Sequence, residues 1–411
     1  MRSTLESISA KKCKEVPIKR HFFFRIYNIN RLLMILRIYD IIQLSDIFTC
    51  ERYRVWQGGA QMTAIYSVLH MLVDGVCALA MFGRFFCGED GQFALLLYNF
   101  CAFALQMPFG VVLDLLESRE EVRTKAFAHF FAMLGVIVTL LGAVTHPVVL
   151  GVGNALFHIG GGVGTIHEDR TKGWSGKGLG IFVAPGALGL YLGTLAAKRG
   201  WLQNGLVAAF ILMMAGCFFA EWFRKKNSRN ATGQVDALKQ NRKKEQKPVI
   251  LAVACFIVVI LRSYIGMAVS FPWKQLPVLG LLSVLAVVFG KAVGGILAAR
   301  FGYRKTVVAS LFLAALCYAG LHMALVGLAA LFFFNMTMPV TLYLLICTYP
   351  GAPGFSFGLL TFGLFLGFLP SYLEAELPVA GPVLGCVGSL ISLVLLLIGM
   401  MFGGQKEHVS D

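Results

Sequence analysis

Charge is what this sequence has least of. Only 14 % of its 411 residues are Asp, Glu, Lys or Arg, against roughly a quarter in an ordinary soluble domain. Acids are the scarcer sign, 21 against 36 Lys and Arg, for a formal net charge of +15. An excess of this size can mark a nucleic-acid binder, but here the basic residues fall between long apolar runs and not on an aromatic-interleaved face, which excludes that class. No CxxC pair occurs among the 10 cysteines and none keeps ligand spacing with a histidine, so neither a disulfide framework nor a metal site is written in the spacing. Most of them, such as Cys77, Cys101, Cys217, Cys255 and Cys317, sit inside apolar runs as small packing residues. The sequence has no P-loop, no HExxH and no serine elbow placed between strand and helix, so enzyme chemistry, nucleotide-driven work and a cofactor are not expected. The one glycine cluster, Gly160 to Gly164, lies within an apolar run and reads as helix packing.

What is present is apolar length. Hydrophobic residues make up 57 % of the chain, and the mean hydropathy is +0.74, values of a chain whose solvent is lipid. From Met62 onward the apolar runs recur at the length a bilayer core requires, over 62–85, 92–114, 126–145, 147–167, 176–197 and 201–223, then 248–271, 277–299, 306–325, 327–347, 355–373 and 381–403. That makes about twelve spans, in two sets of six on either side of a polar, basic run from Arg224 to Lys247 that offers no apolar face to bury. The predicted fold is therefore an all-α integral membrane protein: an N-terminal six-helix bundle (62–223), a cytoplasmic linker (224–247), a C-terminal six-helix bundle (248–403) and a short cytoplasmic tail (404–411). Residues 1–61 are different, with arginines scattered through "HFFFRIYNINRLLMILRIYDIIQL" that forbid a clean span and no cleavage site after it. They read either as a basic amphipathic segment on the membrane surface or as untranslated sequence before a true start at Met62, preceded by the purine-rich codons of Gly58 and Gly59. The second is favoured.

Lysine and arginine set the orientation. With both termini inside, the inner segments receive Arg119, Arg123, Lys125, Arg170, Lys172, Lys177, the central linker, Arg300, Arg304, Lys305 and Lys406, whereas the outer loops hold only Arg84, Lys198, Arg199 and Lys274. A repeat supports the halving: Gly110 precedes Asp114 by four residues after the second span, and Gly295 precedes Ala299 by four after the eighth, each followed by basic residues at the cytoplasmic interface.

These features together resemble the major facilitator superfamily over Met62 to about Phe402. "GILAARFGYRK" is similar to that family's cytoplasmic loop motif except that Ala299 replaces the acid, while the first-half copy keeps Asp114 and loses the glycine after it. The resemblance implies two pseudo-symmetric bundles, gating roles for Gly110, Asp114, Gly295, Arg300 and Arg304, and an acid-to-arginine contact across the gate in the first half. A narrower likeness to the fosmidomycin-resistance-type exporters rests on "HMLVD" (His70, Asp74), "LQMPFG" (Gln106, Pro108, Gly110) and "GNALFHIGGG" (Gly153, Asn154, Phe157, His158), although Ile159 and Gly160 stand where a proline and an acid usually follow. The fifth span also resembles the glycine-proline pattern of drug antiporters through Gly176, Gly180, Pro185, Gly189 and Gly193.

An ionisable side chain at the bilayer midplane costs about 2.5–3.5 kcal/mol on insertion scales, so each is expected to face a cavity or a partner. Asp74 falls mid-span in the first, His158 in the fourth and Arg262 in the seventh; the tenth supplies Asn335, Thr337 and Thr341 around Pro339. The resemblance places these four spans around the central cavity. His70 and Asp74, four apart, share a helix face with Ser67 and form either a proton relay or a structural pair. His158 lines the cavity or packs as a bonded histidine, whereas His129, His146 and His322 read as interfacial or packing residues. Lys291, between Gly290 and Ala292, is nearer the cytoplasmic end, where its stem can snorkel. Arg262 either holds an anionic ligand with its planar fork or is satisfied by Asp74, backbone carbonyls or water. Pro108, Pro185 and Pro339 are packed kinks or hinges.

The expected function is a secondary transporter, proton-coupled and exporting a small, anionic molecule by alternating access, a monomeric efflux antiporter in the plasma (inner) membrane. The alternative is a non-transporting sensor or assembly protein on the same scaffold. The orientation is directly testable: a cysteine placed at Gly233 should resist an impermeant thiol reagent in intact cells and react only after lysis, and labelling without lysis would invert the topology.

Overall fold

The structure, a computed structural model, describes residues 61–87, 90–119, 124–230, 248–375 and 379–402. The start-site question at 1–60, most of the linker (231–247) and the tail (403–411) lie outside the described residues. Twelve helical segments cross the described part: α1 (Gln61–Phe85), α2 (Gly91–Ser118), α3 (Thr124–Val144), α4 (Pro147–Lys172), α5 (Lys177–Lys198), α6 (Leu202–Asn230), α7 (Pro248–Ala268), α8 (Pro277–Phe301), α9 (Tyr303–Ala319), α10 (Ala324–Thr348), α11 (Pro353–Tyr372) and α12 (Gly381–Phe402). Eleven of them are long and apolar enough to cross a membrane. The twelfth, α9, has 17 residues, about 25 Å at 1.5 Å per residue, the lower end of what a bilayer core needs.

The packing repeats with a shift of six helices. In the first half α1 packs on α4, α5 and α6 while α3 lies along α4; in the second α7 packs on α10, α11 and α12 while α9 lies along α10. The halves meet where α2 lies along α11 and α5 along α8. Apolar side chains such as Val207, Ile211, Leu212, Phe218 and Phe219 stay on the outer face of α6, the position of residues whose solvent is acyl chain and not water.

Between α3 and α4 the two backbones touch. An added Cβ would come within 2.2 Å of the Phe157 nitrogen at Gly135, of the Leu150 nitrogen at Gly142, of the Thr139 nitrogen at Gly153 and of the Ala132 nitrogen at Gly160. In lipid, where apolar contact alone does not drive helices together, such close approach is what holds a pair.

Several helices outrun their apolar stretches. The sequence ends the fourth span near 167, but α4 continues to Lys172 and stops where Gly173 turns left-handed at φ 62°, the usual helix terminator. The extra turn brings Glu168 and Asp169 into the buried part of the bundle. At the sixth span the helix runs on to Asn230, into the run read as linker, and Glu221 bonds Arg224 at 2.6 Å and lies 3.8 Å from Lys225, one turn on. The second span likewise reaches past 114, so Asp114 lies inside a helix and not after it. Upstream of Pro108 this helix widens into a π turn over Phe100–Ala104, since proline lacks an N–H and crowds the Ala104 carbonyl.

Backbone contact of this kind tolerates no side chain. Gly160→Val should cost about 3 kcal/mol and lower the thermal unfolding midpoint or abolish monodisperse protein in size-exclusion chromatography. Gly266→Ala, with nothing within 4 Å of the added carbon, should leave both unchanged.

Candidate ion and substrate site

Two residues one turn apart on α1 begin the site. His70 Nε2 lies 3.2 Å from Asp74 Oδ2, the i, i+4 pairing expected from the spacing. From α4, His158 brings its Nε2 to 2.9 Å from His70 Nε2 and 3.6 Å from Asp74 Oδ1. One turn before it Asn154 donates from Nδ2 to Asp74 Oδ1 at 3.1 Å. All four side chains are buried. Two imidazoles and an amide from its own half of the molecule thus surround Asp74, and the amide donates to it.

Both imidazoles are oriented from behind. His70 Nδ1 is 2.7 Å from the Phe182 carbonyl and His158 Nδ1 is 2.9 Å from the Asn154 carbonyl. A carbonyl only accepts, so each Nδ1 carries the hydrogen and each neutral ring turns a bare Nε2 towards Asp74 and the other ring.

The Phe182 carbonyl is available because α5 is broken. Its halves, Lys177–Val183 and Gly186–Lys198, meet at Pro185, which has no N–H to close the ladder. Side chains take carbonyls at the break: His70 that of Phe182, and Lys291 of α8 that of Val183, at 3.4 Å. Directly after Pro185, the missing Cβ of Gly186 would fall 2.5 Å from both Asp74 Oδ2 and His70 Nε2, so the carboxylate and imidazole occupy the space a side chain would fill.

In the second half the break falls in α10, between Asn335 and Thr337. Buried Arg262 donates to Thr337 Oγ1 at 3.4 Å, the first residue after that break. Among the described residues no carboxylate stands at ion-pair distance from Arg262 or Lys291. Of the partners the sequence offers Arg262, Asp74 is not in direct contact with it: His70, His158 and Asn154 stand at the oxygens of Asp74. Asn335 is not brought to the cluster; its amide donates to the Leu331 carbonyl of its own helix at 2.8 Å.

The gate residues form a different device from the one expected. Both oxygens of Asp114 accept from backbone N–H groups at the start of α11, Gly354 N at 2.8 Å and Phe355 N at 2.7 Å. The acid caps a helix N-terminus, where negative charge is favoured, and among the described residues no arginine stands at ion-pair distance from it. It reaches because Gly110 and Gly354 touch, a Cβ on Gly110 falling 2.1 Å from the Gly354 carbonyl oxygen. On the other flank a Cβ added to Gly295 would fall 3.0 Å from the Gly176 carbonyl oxygen, just before α5, and 3.0 Å from the Gly180 Cα within it. There Ala299 supplies no acid, and the start of α5 is capped from within its own bundle by Asp169, whose Oδ1 accepts from Gly178 N at 3.0 Å. Arg300 and Arg304 are exposed, Arg300 lying over the Phe301 ring at 5.4 Å.

Three polar clusters were not anticipated. His129, read as a packing residue, lies 2.9 Å from the Tyr66 hydroxyl and 3.2 Å from Glu221 Oε2, joining α1, α3 and α6. Glu168 accepts from the N–H and hydroxyl of Thr63 at 2.7 and 2.5 Å, capping α1. His167 pairs with Glu117 at 3.0 Å. Their partners are far apart in sequence, so only Asn154, one turn before His158, carried a local signal.

No family model matches this chain, and no curated protein matches its sequence. Solved structures do. The E. coli fucose:proton symporter FucP aligns with a TM-score of 0.53 at 12 % identity, over 84 % of this chain and 98 % of that one. The human organic anion transporter MFSD10 (TETRAN) aligns at 0.52 and 12 % identity, over 84 % of this chain and 100 % of that one. At such identity the likeness defines the fold, which is the twelve-helix major facilitator architecture. Neither neighbour is a fosmidomycin-resistance-type exporter, and that narrower likeness rests on the short motifs alone.

The Asp114 cap gives a graded expectation. Asp114→Ala should cost about 1–2 kcal/mol and lower the thermal midpoint of detergent-purified protein, whereas Asp114→Asn, which keeps one acceptor, should lose about half as much. Equal midpoints for both variants and the native chain would show that the cap contributes nothing.

Proposed function

We propose that this chain is a proton-coupled secondary transporter that exports a small anionic molecule by alternating access. It works as a monomer in the plasma membrane with both termini cytoplasmic. The observation that carries the reading is the division of charge between the halves. Asp74 with its two imidazoles belongs to the first bundle, and Arg262 and Lys291, without a carboxylate at ion-pair distance among the described residues, belong to the second.

A carboxylate flanked by two histidines takes up and passes a proton without large motion. A buried guanidinium without an acid favours a ligand that brings one, and its fork suits a carboxylate or phosphonate held by two hydrogen bonds. Helices broken at the midplane, as α5 and α10 are, expose backbone groups where substrates of such folds bind. The contact of Asp114 with the start of α11 and the glycine contact of α5 with α8 are where the bundles would part.

Two variants separate the roles. In proteoliposomes, Asp74→Asn should abolish gradient-driven flux and leave substrate exchange, while Arg262→Gln should lose anion binding at unchanged expression and folding. Arg262→Lys should recover only part of the affinity. Gradient-driven flux in Asp74→Asn, or undiminished anion affinity in Arg262→Gln, would overturn the assignment concerned.

A further inference from the structure

We infer that His70, Asp74 and His158 form a binding site for a divalent first-row transition metal ion. The sequence gives no ligand spacing because the two histidines are 88 residues apart; the packing of α1 on α4 brings them together.

One ligand atom from each of the three buried side chains lies within 4.8 Å of the other two, close enough for a single ion to reach all three. Metal bonds of about 2.0–2.2 Å to imidazole nitrogen and carboxylate oxygen set ligand atoms about 3.3–3.6 Å apart. Here the two Nε2 atoms stand 2.9 Å apart, His70 Nε2 lies 3.2 Å from Asp74 Oδ2 and His158 Nε2 3.6 Å from Asp74 Oδ1, so each imidazole faces its own carboxylate oxygen and an ion between them would spread the rings by a few tenths of an ångström. Two His and one carboxylate is a donor set that suits zinc, iron, cobalt or manganese.

The surroundings add three independent arguments. First, the Phe182 and Asn154 carbonyls fix both Nδ1–H groups, the outer-shell arrangement that metal-binding histidines characteristically have. Second, that arrangement points two lone pairs at each other across 2.9 Å, so the neutral pair repels unless a cation lies between the rings. A proton satisfies the two nitrogens; a metal ion satisfies the nitrogens and the carboxylate together. Third, Gly186 packs directly on the pair: a Cβ there would stand 2.5 Å from both Asp74 Oδ2 and His70 Nε2, so the ligand atoms gather only because that residue has no side chain. Asn154, bonded to Asp74 Oδ1, is a positioning residue.

Charges nearby define the kind of site. Lys291 faces it from α8 through the Val183 carbonyl, Arg262 stands on α7 beside Thr337, and Cys77 lies 3.5 Å from the Asn154 amide with Tyr98 of α2 beside it. The Lys291 cation facing the cluster opposes retention, and three ligands leave a coordination position open. Both features describe an exchangeable ion, not a structural one.

The inference concerns what the cluster binds and is independent of substrate and direction. Lack of metal binding leaves the Asp74→Asn flux test standing, and lack of flux leaves the metal test standing. Tag-free protein, purified in detergent and stripped by chelator, is titrated with Co2+ at neutral pH. One Co2+ per chain is expected, with the visible absorption of a low-coordinate nitrogen and oxygen site and no thiolate charge-transfer band. One equivalent of Zn2+ should displace it, and protons should be released on binding at low pH. His158→Gln and Asp74→Asn should lose stoichiometric binding, Asn154→Ala should weaken it about 10–100-fold, and Gly186→Ala should block it with all ligands retained. Folding of each variant is checked by its metal-free thermal midpoint, and the Asp74→Asn and His158→Gln pair decides the matter if Gly186→Ala does not fold. Absence of stoichiometric Co2+ binding in the native chain, a sulfur charge-transfer band, or binding that survives both ligand variants would overturn the inference.

Discussion

Every backbone N–H and C=O inside a bilayer has to be bonded within the protein, and this molecule is arranged around the few places where its helices fail to do so. Proline at 185 opens α5, and the carbonyls at the opening are taken by His70 and Lys291, one from each bundle. The break in α10 sets Thr337 beside Arg262, and at the π turn of α2 Gln106 donates to the Ala102 carbonyl at 2.6 Å. Ionisable side chains that would be costly in lipid are thereby anchored by main-chain groups that would be equally costly alone. The breaks and the charges stabilise each other, which is why they coincide.

Close contact between backbones is the second organising feature. Glycines let α3 lie against α4, α2 against α11 and α5 against α8. The latter two contacts are related by the internal repeat, but their chemistry has diverged. Asp114 ties its helix to the opposite bundle, whereas at the corresponding place Ala299 leaves the capping of α5 to Asp169 of the same bundle. On that flank the cross-bundle bonds are neutral or to a lysine, Tyr303 donating to the Ser175 carbonyl at 2.8 Å and Lys291 to that of Val183.

Much of the architecture was legible in the sequence, for a physical reason. Twelve spans and the pairing of His70 with Asp74 depend on hydropathy and on a four-residue spacing, both local properties of the chain. Helix ends were less legible, because α4 and α6 are prolonged by capping and side-chain pairs after the apolar stretch has ended. The partners of Asp74 were not legible at all as partners: His158 and Asn154 were visible as mid-span polar residues, but their meeting with α1 depends on tertiary packing. Asp114 shows the same limit, since its position in a loop motif says nothing of the helix N-terminus 240 residues away that it bonds.

Gly186 carries a consequence that reaches beyond this chain. The cluster fits only because residue 186 has no side chain, yet nothing about the ligands themselves dictates a glycine more than a hundred residues downstream of Asp74. When other sequences with a histidine and aspartate one turn apart in the first span are compared, the residue following the fifth-span proline becomes an identifying mark. Glycine there is compatible with a carboxylate and two imidazoles gathered as they are here. Alanine or anything larger places a carbon where those atoms stand, so such a chain, whatever its other likeness, has arranged its first and fifth helices around a different centre.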